Sequence, residues 1–251
     1  MALMRSSNPA LGNKSFEGVE RPASLADAMT LNGTVNKTGF LLLLTVITAG
    51  WAWNKFNTAE SPAEYIPYVI GAALGGFVVA LVTVFKKEWS PVLAPAYALL
   101  EGVVVGLVSA IYEARFQGIV FQAVFLTFGT LFALLLAYRS GVIRATENFK
   151  LGVVAATGGI ALIYLAGFVL GFFNVRIPYI HESGLIGIGF SLFVVVIAAL
   201  NLVLDFDFIE QGVQHGAPKY MEWYGGFALL VTLIWLYLEI LRLLSKLRSR
   251  R

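Results

Sequence analysis

The residues best placed to do chemistry in this 251-residue chain are charged groups set inside apolar sequence. Glu101 stands in Tyr97-Ala98-Leu99-Leu100-Glu101-Gly102, with no basic residue within two helical turns. Glu239 and Arg242 stand in Leu236-Tyr237-Leu238-Glu239-Ile240-Leu241-Arg242, at the three-residue spacing that lets two side chains share a helix face. Asp205 and Asp207 stand in Leu204-Asp205-Phe206-Asp207-Phe208-Ile209, followed by Glu210. A charged side chain at the centre of a lipid-embedded helix costs about 2.5–3.5 kcal/mol on insertion scales. Such groups bind protons, line ion paths or pair with one another. Each also has a plainer reading. Glu101 can be a neutral, hydrogen-bonded structural residue, Glu239 and Arg242 a local pair reaching towards the membrane edge, and the three acids at 205–210 an interfacial stop signal.

The common catalytic patterns are missing. His181 and His215 lie in expected loops with no HExxH spacing, which argues against a zinc protease. The chain has no GxSxG elbow and no histidine inside an apolar run to serve as base for a serine. It also lacks a glycine-rich phosphate loop, and Asp205 and Asp207 lack a GxGD context. Absence of cysteine excludes disulfides and thiolate metal sites. The expectation is a protein that is not an enzyme and holds no resident cofactor.

Composition says where these residues live. Hydrophobic residues make up 58 % of the chain and charged ones 13 %, against roughly 45–50 % and 25 % in soluble domains. That excess excludes a soluble enzyme, a nucleic-acid reader and a disordered scaffold, because a water-facing surface would have to be largely apolar. Seven apolar stretches are marked at about 38–54, 66–85, 92–111, 118–138, 151–173, 184–204 and 223–244. Of the 33 charged residues, only Glu101, Glu239 and Arg242 fall inside them. Each stretch is close to the roughly 20 residues a helix needs to cross hydrocarbon. The runs are continuous rather than alternating, so the spans are helices and not barrel strands. The predicted fold is an all-α integral membrane protein of seven transmembrane helices over 38–251, preceded by a polar arm over 1–37.

Local signals punctuate these spans. Ser24 is an expected cap for a short interfacial helix reaching Met29, with Asp27 three residues on. Trp51 and Trp53 suit an interface belt. Ser61–Pro62 and Pro67 open the second span, Pro91 and Pro95 the third, and Ile177–Pro178 breaks the chain before the sixth. GxxxG spacings at Gly71/Gly75, Gly102/Gly106 and Gly167/Gly171 permit close helix crossings. The pair after Glu101 offers a close neighbour that would shield its carboxyl.

Counting Lys and Arg by side gives ten on the side of the N-terminal arm and three on the other before the tail, so the N-terminus is expected in the cytoplasm. Seven crossings then carry the tail cations Arg242, Lys246, Arg248, Arg250 and Arg251 to the opposite side. Seven full crossings are the favoured reading, and a late segment that dips and returns is the alternative. The tail is expected among lipid head groups.

The run Leu204 to Ile209, a polar connection, and the run Leu236-Tyr237-Leu238-Glu239-Ile240-Leu241-Arg242-Leu243-Leu244 together resemble the Bax-inhibitor family, also called the transmembrane Bax inhibitor motif family. The stretches Arg5-Ser6-Ser7-Asn8-Pro9 and Met29-Thr30-Leu31-Asn32-Gly33 resemble its bacterial branch. The resemblance implies a central last helix wrapped by two groups of three. It also implies a proton-sharing pair of acids that gates a calcium leak. By position these are Asp205 and Glu239, with Asp207 as the alternative to Asp205. Lys86 or Lys87 would be the basic latch that holds the first acid, and Arg242 is a further latch candidate. The departures are a Glu as second acid, Arg242 where a neutral polar residue is commoner, and a longer connection between the acids. Two carboxyls meeting in low dielectric titrate as a coupled unit, and such acids with backbone carbonyls offer calcium a weak, transient site. The expected function is a pH-sensitive calcium-permeable channel or leak in a bacterial inner membrane, with calcium and protons as its ions and the lipid bilayer as its surroundings. The alternatives are a non-conducting regulator that binds a membrane protease or other membrane protein, and a proton-coupled transporter using Glu101. No nucleic-acid partner is expected.

Overall fold

A computed structural model of the chain describes residues 27–59, 62–173 and 184–250. Seven helices span them: α1 (Leu31–Thr58), α2 (Ile66–Phe85), α3 (Ser90–Arg115), α4 (Ile119–Arg139), α5 (Glu147–Phe172), α6 (Leu185–Gln214) and α7 (Met221–Ser249). All seven are long and apolar enough to cross a membrane. Among the described residues there is no sheet, only an isolated antiparallel bridge between Ala28 and Pro218. The expected Ser24 cap and the Ile177–Pro178 break lie outside the described residues.

Helix ends run past several of the marked stretches, and the two largest differences each have a local reason. First, α1 begins at Leu31 rather than near 38. The Thr30 hydroxyl accepts from the Gly33 N–H at 3.0 Å and so starts the helix one residue later, before the polar run 32–37 ends. Second, α6 does not stop at Leu204. It continues to Gln214, so Asp205 and Asp207 lie within a helix rather than at its end. Its true end is built by Gly216, whose φ of 64° only glycine adopts without strain. The Gly216 and Ala217 N–H groups donate back to Val213 and Gly212, satisfying carbonyls of the last turn.

The chain divides into two compact units, Met1–Leu107 with Asp205–Leu230, and Val108–Leu204 with Val231–Arg251. In the first, α1 buries a stripe of Thr34, Thr38, Leu41, Thr45 and Ala52. The Thr34, Thr38 and Thr45 hydroxyls donate to the carbonyl four residues back, so polar atoms enter the interior already satisfied. Gly102 and Gly106 of α3 meet this stripe. A Cβ on Gly102 would lie 2.6 Å from the Thr45 carbonyl, and one on Gly106 would lie 2.7 Å from Ala49 Cα. Gly225 and Gly226 bring the start of α7 to Thr34 and Thr38 less tightly, a Cβ on either lying 3.2 Å away. The other GxxxG sites behave differently. Among the described residues Gly71 and Gly171 face no neighbour within 4 Å, and Gly75 makes only ordinary contact with Leu100. The spacing sets two glycines on one face but does not say whether that face meets a helix or lipid.

In the second unit, Ile160, Val194 and Ile197 form a buried cluster joined by Tyr164, Phe190 and Trp235. Asn201 donates to the Thr157 hydroxyl at 2.8 Å, and Ser109 shares a 2.6 Å hydrogen bond with Tyr237. Phe121, Phe125, Phe132, Leu162 and Phe168 are exposed, as lipid-facing residues must be and water-facing ones seldom are. By contrast, 61 % of the most apolar stretch of α7 is buried, against 39 % or less in every other helix.

Candidate functional site

The first unit holds three groups of ionisable residues on the spans, around Asp205 and Asp207, Glu101 and Glu222. Asp205 and Asp207 are two apart on α6, so their side chains leave the helix in different directions. Asp207 accepts from the Gln211 amide one turn on. Asp205 keeps its Oδ2 buried and acts electrostatically on Tyr224 of α7. The ammonium of Lys87 stands over that same ring, 5.5 Å from its centroid, and Phe208 packs against it at 5.8 Å. A cation over an aromatic face is attracted by the ring's quadrupole. Tyr224 thus lies under the Lys87 ammonium and within electrostatic reach of Asp205. Of the two latch candidates at the end of α2, Lys86 is its C-cap residue, its N–H donating to the Val82 carbonyl at 2.7 Å.

Glu101, on α3, does not face the helix packed on Gly102 and Gly106, as the sequence reading expected. Successive helical residues point about 100° apart. Gly102 therefore turns to α1 while Glu101 turns to α2, where its Oε2 would lie 3.3 Å from a Cβ on Gly76. Tyr97, one turn earlier, is within electrostatic reach of the same carboxylate.

The second unit holds Glu239, only 2 % exposed. Its Oε1 accepts from the Tyr164 hydroxyl of α5 at 2.9 Å and from Arg242 at 2.8 Å, and Arg242 also reaches Oε2 at 3.1 Å. The circuit closes because Arg242 donates to the Tyr164 oxygen at 2.6 Å. The expected local pair therefore forms, completed by a tyrosine. One turn further on α7, Lys246 donates to the Gly187 carbonyl at 3.0 Å and the Ser191 hydroxyl at 2.8 Å, both on α6. Tyr164 was detectable as the one phenol within the apolar run 151–173; its meeting with Glu239 and Arg242 was not.

The sequence reading also missed Glu222. It opens α7 and is fully buried. Its Oε1 accepts from the Thr30 N–H and hydroxyl, both at 2.9 Å, and its other oxygen is ion-paired with Lys37. Lys219 stands 3.7 Å from Oε1. Met29 and Lys219 extend this tie by donating their N–H groups to the Ala217 and Asp27 carbonyls at 2.6 and 2.9 Å. Just before α7, burial and then the nearby Glu88 carboxylate push the Tyr220 phenol above its usual range. Among the described residues no three or more His, Asp or Glu side chains cluster as a metal site.

A family model described as Bax inhibitor 1 like matches residues 8–249, nearly the whole chain. No curated protein and no solved structure matches.

Proposed function

The chain belongs to the Bax inhibitor 1 like family, and on that premise we propose that it is a pH-sensitive, calcium-permeable leak in a bacterial inner membrane, its N-terminus in the cytoplasm. The proton-binding acids are Asp205 and Glu239, one in each unit, and Lys87 is the latch. The observation that carries this reading is the placement of the Lys87 ammonium over Tyr224, a ring within electrostatic reach of the buried Asp205. Protonating Asp205 removes the charge that holds a cation at that ring, and the contact weakens. Glu239 contributes through the Tyr164–Arg242 circuit. Each group has a member on α7, so a shift of that helix registers at both. Calcium is the cargo. A passing cation needs oxygen ligands that hold it only weakly.

A second reading, proton-coupled transport through Glu101, is favoured by the close approach of that carboxylate to Gly76. Calcium flux into liposomes containing the purified protein separates the two. The leak reading expects flux that varies with pH and a profile altered by Asp205→Asn and by Glu239→Gln. Flux equal to empty liposomes at every pH removes it. Substrate-dependent proton movement lost in Glu101→Gln supports the transporter instead.

A further inference from the structure

Away from these acids, the first unit contains a cavity of about 520 Å³ where α1 ends and α2 begins. This is the size range of small-ligand sites. Its upper wall carries two opposite charges, Lys55 in the last turn of α1 and Glu64 just before α2. Among the described residues neither side chain makes a hydrogen bond or an ion pair, with the other or with any third group. Trp51, Tyr65 and Tyr68 line the same cavity, the two tyrosine rings 6.1 Å apart. The floor is aliphatic: Val69 from the first turn of α2, and Val103 and Leu107 from α3. Leu107 lies eight residues before the end of α3, about 12 Å along the helix. The cavity is therefore charged at the membrane edge and apolar towards the hydrocarbon.

We propose that this cavity holds a zwitterionic phospholipid of the ethanolamine class. Its phosphate faces Lys55, its ammonium faces Glu64 and the aromatic rings, and its upper acyl chain covers Val69, Val103 and Leu107. Aromatic faces attract alkylammonium groups, and Trp and Tyr suit the head-group level. The charges choose among lipids. An anionic glycerol lipid would satisfy Lys55 and leave Glu64 facing no cation, and an uncharged lipid would leave both without a counter-charge. A soluble zwitterion would not use the aliphatic floor.

The test is native mass spectrometry of the full chain purified from bilayers of equal parts phosphatidylethanolamine and phosphatidylglycerol. The wild type is expected to retain one phosphatidylethanolamine in preference. Glu64→Gln should lower that preference about fivefold, the upper range for one solvent-accessible ion pair. Lys55→Ala should lower retention of both lipids. Both residues are exposed, so neither variant threatens the fold. Glycerophosphoethanolamine, which carries the head group without the chains, should displace nothing. Retention of phosphatidylglycerol in preference, identical ratios in wild type and both variants, or displacement by the chainless head group would each overturn the proposal.

Discussion

Gly33 and Glu222, 189 positions apart in sequence, are packed so closely that a Cβ on the glycine would overlap the glutamate's carboxylate. That carboxylate cannot swing aside cheaply, since Thr30, Lys37 and Lys219 hold it and no part of it reaches solvent. Exchanging a helical glycine for alanine ordinarily stabilises by about 1 kcal/mol. Here the sign should reverse. Gly33→Ala is expected to destabilise by about 1–3 kcal/mol, read as a fall in thermal midpoint in detergent. Gly39→Ala, where no atom of the described residues lies within 4 Å of the new methyl, should be neutral or stabilising.

Removing the Lys37 side chain should leave the buried Glu222 carboxylate with Thr30 and the more distant Lys219. Breaking a buried pair from one side costs about 3–5 kcal/mol, and the 20 % exposure of Lys37 places this case at the lower end. Lys37→Ala and Glu222→Ala should each be costly, and their double variant should cost less than the two together. Additive losses in a double-mutant cycle would refute the coupling.

Glycines in the same sequence spacing should respond in opposite ways. Gly102→Ala and Gly106→Ala push a methyl into the backbone of α1, with an expected loss of about 1–3 kcal/mol. Gly71→Ala and Gly171→Ala meet open space and should leave the unfolding midpoint unchanged or higher.

Tyr164 is the hinge of the Glu239–Arg242 circuit, donating to one and accepting from the other. Tyr164→Phe keeps the ring and removes both bonds, at an expected cost of about 1–3 kcal/mol for charged hydrogen-bond partners. With Glu239→Leu and Arg242→Leu together as background, which removes both partners of the hydroxyl, most of that cost should vanish. An undiminished cost in that background would mean that the bonds to Glu239 and Arg242 are not its source.

If Lys87 is the latch, Lys87→Met should flatten the pH profile of calcium flux as Asp205→Asn does, and the two together should add nothing further. Lys86→Met, which removes a side chain from the cap of α2, should leave the profile unchanged. A profile altered by Lys86→Met and untouched by Lys87→Met would move the latch.

The number and identity of the spans were legible without coordinates, because the cost of placing a residue in lipid depends on the residue and its neighbours in sequence. Ile66–Phe85 is bounded by charge and proline closely enough that its ends coincide with the apolar run. The Glu239–Arg242 pair was legible for a similar reason, since three-residue spacing on a helix fixes it locally. The end of α6 was misplaced because its acids resembled a terminus, whereas Gly216 and the Gly212–Ala217 hydrogen bond decide it. What only the tertiary structure decided is direction. A helix that is apolar all round has no periodic stripe to say which side meets protein. Nothing in the local pattern therefore turns Glu101 to Gly76, brings Lys87 rather than Lys86 to Tyr224, or aims Tyr164 at Glu239. The Glu222 site joins residues up to 192 positions apart. It exists only because packing the start of α7 against α1 leaves that carboxylate no solvent, so that Thr30 and Lys37 must replace it.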